Sequence, residues 1–596
     1  MTQDYTYTLD FSRYYDHLVD IEIKFIAPCA IPVLWLPTWI AGSYLIREFS
    51  KNITAVYYDV AGKRHMADKF DKNHFFLSKV RQGDKVMVRY EVYCHDLSVR
   101  TAFVDTRRIF GNFTSLLLLV SGMEQKPCQI SLNIPQSFME RNPNTVLASG
   151  LPSQTVFTEW GVTYQFDPVV AIDSYDYPFE IGEQSMTAFN VRCHDKDIRH
   201  RFFIAGQHSA DLHRLTKDVA QICQSYVNWL GDVPFGDYTF MTMVTGNDYG
   251  GLEHGNSTAL ISSRDDLPSI SEPDVPSDDY QRFLGLCSHE YFHAWWVKTV
   301  RPDVMMDNDL QSENYTPLLW VFEGFTSYLD DLMLLVSGVI DRTSYFKLLG
   351  EQINRHYQTD GRLFQSVEQS SFDTWIKLYR PDENSKNQGV SYYNKGALVA
   401  LCLDLTLLDK TDGKHRLFDV VRAFYDKAKL SPTGKIGVST DELGEVIGSF
   451  MGQDAWQAFY LAYVAGTQEL PLDELLGKFG ATLTHHFSPK PWGMTADDIA
   501  QGLKVSHIRR GSSASRAGVA VGDVIVAIDG IKASTKRLKQ VYQTQKITGE
   551  SVTVHGFCRD ELYALQIQAD DDTAGFKQIS FDNYQECGWL NFDKSL

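Results

Sequence analysis

The sequence predicts a multidomain α+β protein. It has an N-terminal β-sandwich over residues 1–180, a mixed α/β unit passing into a helical lobe over 181–470, and a strand-rich unit over 471–596. Three observations carry this. Apolar residues alternate with period two in the first third, helical periodicity dominates the middle, and paired prolines near residue 490 precede a return to strands.

In the first unit, Val19-Asp20-Ile21-Glu22-Ile23-Lys24-Phe25 alternates strictly, and Val86-Met87-Val88-Arg89-Tyr90-Glu91-Val92 does nearly so. Such runs, set between Gly, Asp and Asn clusters, read as half-buried strands of a sandwich. Helical periodicity begins near Ser209; Asp211 to Leu230 predicts a helix and Tyr238 to Val244 a strand. From Asp279 to about Gly466 the pattern is mostly helical. Ser488-Pro489-Lys490-Pro491 ends any helix there, which places a boundary between Gly466 and Pro491.

The 596 residues suit three or four domains, and 22% charged with 44% hydrophobic residues is ordinary for a soluble globular chain. A net charge of −19 argues against nucleic acid or an anionic membrane surface as partner. The nine cysteines are scattered and form no C-x-x-C, which fits a reducing compartment. Met1-Thr2-Gln3-Asp4-Tyr5 shows no signal segment, and the apolar stretch from Ile31 to Ile46 is broken by Pro32, Pro37, Gly42 and Ser43. A cytoplasmic protein with no membrane partner is expected.

The chemistry centres on His289-Glu290-Tyr291-Phe292-His293. In a helix, positions four apart share a face, so two imidazoles can hold one Zn²⁺ while Glu290 faces its water. An incidental match on a surface helix would not carry the apolar surroundings seen here, Phe283 to Ser288 before and Trp295 to Val297 after. Asp278 or Asp279 is expected to cap the helix. A hydrolytic site needs a third ligand, and Glu323, flanked by Trp320, Phe322 and Phe325, is a carboxylate too costly to bury unpaired. Asp330 and Asp331 follow, where one could orient a ligand imidazole or simply end a solvated helix.

Two further segments bear on catalysis. Ser391-Tyr392-Tyr393-Asn394-Lys395-Gly396 opens a helical run and can aim a phenol at an oxyanion, or merely pack. Gly250-Gly251-Leu252-Glu253-His254 combines glycines that allow close backbone approach with a carboxylate that could hold a substrate ammonium. A Gly-rich turn with a solvated Glu is the plain alternative, and His254 has no assigned role.

Together, His289-Glu290-x-x-His293-Ala294-Trp295 and Trp320-x-x-Glu323-Gly324-Phe325-x-x-Tyr328 resemble the gluzincin metallopeptidases near the aminopeptidase N group. Gly251-Leu252-Glu253-His254, the segment from Trp39 to Phe49 and the C-terminal block narrow the resemblance to the glycyl aminopeptidase family of PDZ-containing zinc peptidases. That resemblance implies a thermolysin-like catalytic domain, zinc on His289, His293 and Glu323, Glu290 as general base and Tyr393 as transition-state donor. It also implies that Glu253, with Gly251 and Leu252 beside it, reads the amine of a peptide substrate. The local Gly-Leu-Glu-His differs from the Gly-x-Met-Glu-Asn of the aminopeptidase N group. Trp492-Gly493-Met494-Thr495 resembles the PDZ loop that takes a C-terminal peptide carboxylate, although such a domain can also pack without binding. The expected activity is zinc-dependent release of small N-terminal residues, Gly or Ala. The alternatives are a PDZ-assisted endopeptidase and a non-catalytic peptide-binding protein.

Overall fold

The computed structural model describes residues 4–307, 309–569 and 575–592. Its N-terminal unit is built on a sheet ordered Ser153–Thr158, Gly161–Phe166, Pro127–Pro135, Thr6–Asp10, Leu18–Ile26, Lys85–Tyr93, Ile53–Val60, Lys63–Met66. The alternation read in the sequence is the burial pattern: Val19, Ile21, Ile23 and Phe25 are buried, as are Val86, Val88, Tyr90 and Val92.

A second sheet runs Gly250–Glu253, Ser257–Ser263, Asp237–Thr245, Lys196–Ala205, Phe179–Cys193, Arg108–Gly111, Ala102–Val104. Phe179–Cys193 pairs through its first five residues with Thr145–Ser149 and through residues 184–193 with Lys196–Ala205. Position 180 therefore lies at the start of a continuous strand, with no linker between the N-terminal region and the one that follows it. Gly250–Glu253 is the opposite edge of this sheet and runs antiparallel to Ser257–Ser263.

The motif helix, Asp278–Phe292, packs between this sheet and the helix Phe325–Val336. Its N-cap is Ser277, not Asp278 or Asp279. Ser277 has extended backbone and accepts from the Tyr280 amide at 3.4 Å. The two aspartates fall in the first turn, where they favour the positive helix end. Beyond the helix, Trp295 and Trp296 are fully buried. Side chains of that size remove roughly 150–250 Å² each from water, an upper bound of about 4–6 kcal/mol apiece. Trp296 Nε1 donates to Val321 O at 3.0 Å, fixing the following element against the motif helix.

That element, Trp320–Gly324, is a wide π-helical turn ahead of Phe325–Val336. It packs on the helix Asn394–Lys410 through glycines; a Cβ on Gly324 would stand 2.7 Å from Gly396 Cα. The C-terminal unit has its own core, including Trp492, Leu503, Val505, Ile525 and Val554. Its flanking strands, Thr482–Pro489 and Gly575–Asn583, pair antiparallel and lie on the helix Arg342–Tyr357, where Ile579 N donates to Asn354 Oδ1 at 2.7 Å. Asn387 Nδ2 donates to Ile508 O at 2.9 Å, docking the domain on the helical lobe. Among the described residues, no helix is long and apolar enough to cross a membrane.

Candidate active site

His289 and His293 lie one turn apart, and their rings stand 4.6 Å centroid to centroid. Their Nε2 atoms face Glu323 Oε2 at 3.5 and 3.4 Å. Ligands about 2.0–2.1 Å from a tetrahedral metal stand about 3.3–3.4 Å apart, so the spacing suits one ion. The other ring nitrogens are already engaged, His289 Nδ1 with Asp330 Oδ2 and His293 Nδ1 with Trp296 O, both at 2.9 Å. Those partners orient both Nε2 atoms inward. Of the two aspartates flagged in the sequence, Asp330 makes this contact, while Asp331 accepts from Gln352 Nε2 at 2.8 Å.

Glu290 lies on the same helix beside the two imidazoles, with Oε2 buried and unpartnered. Gly251 makes room for it: a Cβ there would lie 2.2 Å from Glu290 Oε1. Burial pushes the Glu290 carboxyl up, Glu253 and Glu323 add to that, and the two imidazoles oppose it, leaving it at about 7. Glu323 is moved up by burial but down more strongly by His293 and His289, to about 2. Burial lowers His289, and Asp330 with Glu323 more than reverses it. Three carboxylates against two imidazoles make a pocket whose charge a divalent cation would balance.

Glu253, at the end of the edge strand, is buried with Oε1 unpartnered. Ligand-type atoms of Glu253, Glu290 and His293 lie within 4.8 Å of one another. The N-terminal unit closes over them: a Cβ on Gly42 would stand 2.4 Å from Glu253 Oε1. Tyr44 OH donates to Glu323 Oε1 at 3.2 Å. Sequence reasoning missed Tyr44, which is 279 positions from its partner. Leu252 is a core residue. His254 pairs with Asp176 at 3.3 Å, and Lys298 Nζ donates to the same carboxylate at 2.6 Å, holding the loop after Glu253.

Of the adjacent tyrosines, Tyr392 is fully buried and accepts from Thr374 Oγ1 at 3.1 Å. Tyr393 is half-buried, its ring 6.4 Å from that of His289 and its hydroxyl 3.1 Å from Tyr379 OH. In the C-terminal unit, Trp492 is a core residue whose Nε1 donates to Gln545 Oε1 at 2.7 Å. Gly493 N donates to Lys490 O at 2.8 Å. Met494 and Thr495 begin Met494–Ile499, the edge strand of that unit's sheet.

Two imidazoles and a carboxylate are thus spaced for one metal, with a further buried carboxylate beside them on the same helix, the arrangement a metallopeptidase needs. The model of the M61 glycyl aminopeptidase matches residues 282–399, that of the peptidase M61 N-terminal domain 6–183, and that of the PDZ domain 478–555. Among solved structures, an aminopeptidase N family protein from Idiomarina loihiensis is 36% identical, covering 98% of this chain and 100% of its own, with a TM-score of 0.88. An M1 zinc metallopeptidase from Deinococcus radiodurans is 14% identical, covering 79% of this chain and 95% of its own, with a TM-score of 0.49, too remote to inform function. Nothing matches among curated proteins. The chain belongs to the M61 glycyl aminopeptidase family and is a metallopeptidase of the aminopeptidase type carrying a PDZ domain.

Proposed function

We propose that the protein is a zinc-dependent aminopeptidase that releases small N-terminal residues, glycine and alanine foremost, from peptides. The observation that carries the aminopeptidase reading is Glu253. A buried carboxylate with an unpartnered oxygen is costly, and a substrate α-ammonium would pair with it. Its place within 4.8 Å of Glu290 and His293 leaves room for one residue between that ammonium and the scissile bond. Gly42 packs against this carboxylate and Tyr44 against the neighbouring Glu323, and the close approach favours a small first side chain.

His289 Nε2, His293 Nε2 and Glu323 would hold the metal. Zinc bound there would supply a Lewis acid that polarises the scissile carbonyl and acidifies water. Glu290 takes a proton from the attacking water and delivers it to the leaving amine. Tyr393 donates a hydrogen bond to the developing oxyanion, its phenol steadied by Tyr379. Glu253 holds the α-ammonium, and the edge strand Gly250–Glu253 lies beside the substrate backbone.

The test is hydrolysis of glycyl, alanyl, leucyl and N-acetyl-alanyl p-nitroanilides, with and without chelator and zinc re-addition. Free glycyl and alanyl substrates should be cleaved fastest, and blocked ones not measurably. Equal rates on blocked and free substrates would overturn the aminopeptidase reading and favour an endopeptidase.

A further inference from the structure

Between the PDZ domain and the helical lobe lies a second cavity, of ≈ 390 Å³. Arg355, Lys386 and Lys395 line it from the catalytic side, Lys490 and His507 from the other, and among the described residues no carboxylate lines it. This is notable in a chain with 75 acidic and 56 basic residues. Among the described residues, none of those four cations makes an ion pair with a carboxylate within 4.0 Å. Lys395 is 2% exposed and donates only to the carbonyls of Arg362 and Gln365, at 3.4 and 3.3 Å. His507 Nε2 is buried without a partner. Carboxylates act on some of these groups from farther off, Asp331 on Arg355, Glu469 on Lys395 and Asp360 on His507, but the cations that face the cavity itself make an anion site.

The cavity adjoins a cleft that flanks the active site. It shares Arg355 and Asn394 with this cleft, of ≈ 550 Å³, which is also lined by Tyr393 and by Asp330, the partner of His289. The helix Arg342–Tyr357 and the residue after it line both spaces, from Gln352 in the cleft to Gln358 in the cavity. Six residues at 1.5 Å rise make about 9 Å, the span of about three extended peptide residues.

We propose that this cavity binds the C-terminal carboxylate of a short peptide whose N-terminus occupies the metal site, so that the enzyme prefers free-acid peptides of about four to six residues. The inference rests on the aminopeptidase reading above. A free small anion such as phosphate shares the carboxylate's chemistry and is the other source of charge for the site.

The experiment compares alanine-initiated peptides of three to eight residues, as free acids and as C-terminal amides, with alanyl p-nitroanilide as the substrate too short to reach the cavity. At four to six residues, the free acid should show a KM about tenfold lower than the amide, with kcat little changed. Lys386→Gln/Lys490→Gln should bring that ratio to about one, and Lys490→Arg should keep it. Inorganic phosphate should compete with the acid peptides and leave the anilide alone. Equal KM values for acids and amides at every length, with the anilide still cleaved, would overturn the proposal and spare the peptidase reading. Phosphate that binds and changes anilide turnover while acids and amides stay equal would also overturn it, assigning the cavity to a free anion. An anilide left intact would overturn the aminopeptidase reading itself.

Discussion

Gly251→Ala isolates how closely the proposed general base, Glu290, is placed. The added methyl would stand 2.2 Å from Glu290 Oε1 and 2.4 Å from its carboxyl carbon. A tolerable contact needs about 3.2 Å, so the carboxylate must retreat by about 1 Å. A misplacement of that size costs about 10²-fold in rate when the displaced group takes part in the chemistry. The expected result is a kcat on alanyl p-nitroanilide lowered about 100-fold, with metal content intact and thermal stability changed by little. The control is the double-mutant cycle. In a Glu290→Ala background the methyl has no carboxylate to push, so Gly251→Ala should cost nearly nothing further. A Gly251→Ala enzyme within about threefold of the native kcat, or a full second loss in the Glu290→Ala background, would refute the argument.

Glu290→Gln should keep the metal and lower kcat by about 10²–10⁴-fold, measured as turnover alongside metal stoichiometry. Asp330→Ala removes the partner of His289 Nδ1 and should weaken metal affinity about 10–100-fold in a chelator competition, with a smaller effect on kcat at saturating metal. His356 gives a pH dependence: burial first, then Lys395 and Arg362, lower its pKa to about 3. As pH falls below 6.5 the unfolded chain takes this proton and the folded one refuses it. Stability is therefore lost from pH 6.5 down towards 3, amounting to about 2 kcal/mol at pH 5. Denaturant unfolding of His356→Leu should show a shallower loss between pH 6.5 and 5 than the native chain, and parallel slopes would refute the assignment.

Much of the site was legible in the sequence because its parts are local. His289, Glu290 and His293 occupy one helical turn, and Glu323 stood out as a lone carboxylate in an apolar run. The PDZ block and the alternating strands were legible for the same reason, since period and turn chemistry act over a few residues. What stayed hidden depends on packing. Tyr44 meets Glu323 only when the N-terminal unit closes over the cleft, and Asp330 finds His289 only across two packed helices. The contact between Gly251 and Glu290 likewise joins a sheet edge to a helix, and nothing near either residue announces it. The helix cap shows a finer limit. Asp278 and Asp279 are as good at capping as Ser277, and the extended backbone at Ser277 settles which of them does it.

The strand Phe179–Cys193 has a consequence for how this enzyme can be taken apart. Because backbone hydrogen bonds run along it from one region into the next, a cut near residue 180 would leave two raw sheet edges instead of two modules. The loop bearing Gly42 and Tyr44 is also tied to the other side directly, with Thr38 N donating to Leu310 O at 2.8 Å and Trp39 and Tyr44 packing on Trp375. Swapping the first 180 residues for those of a relative would therefore graft a new roof onto the active site, and a one-residue slip in the splice would reverse every side chain beyond it. A swing of the whole N-terminal unit would have to shear this sheet.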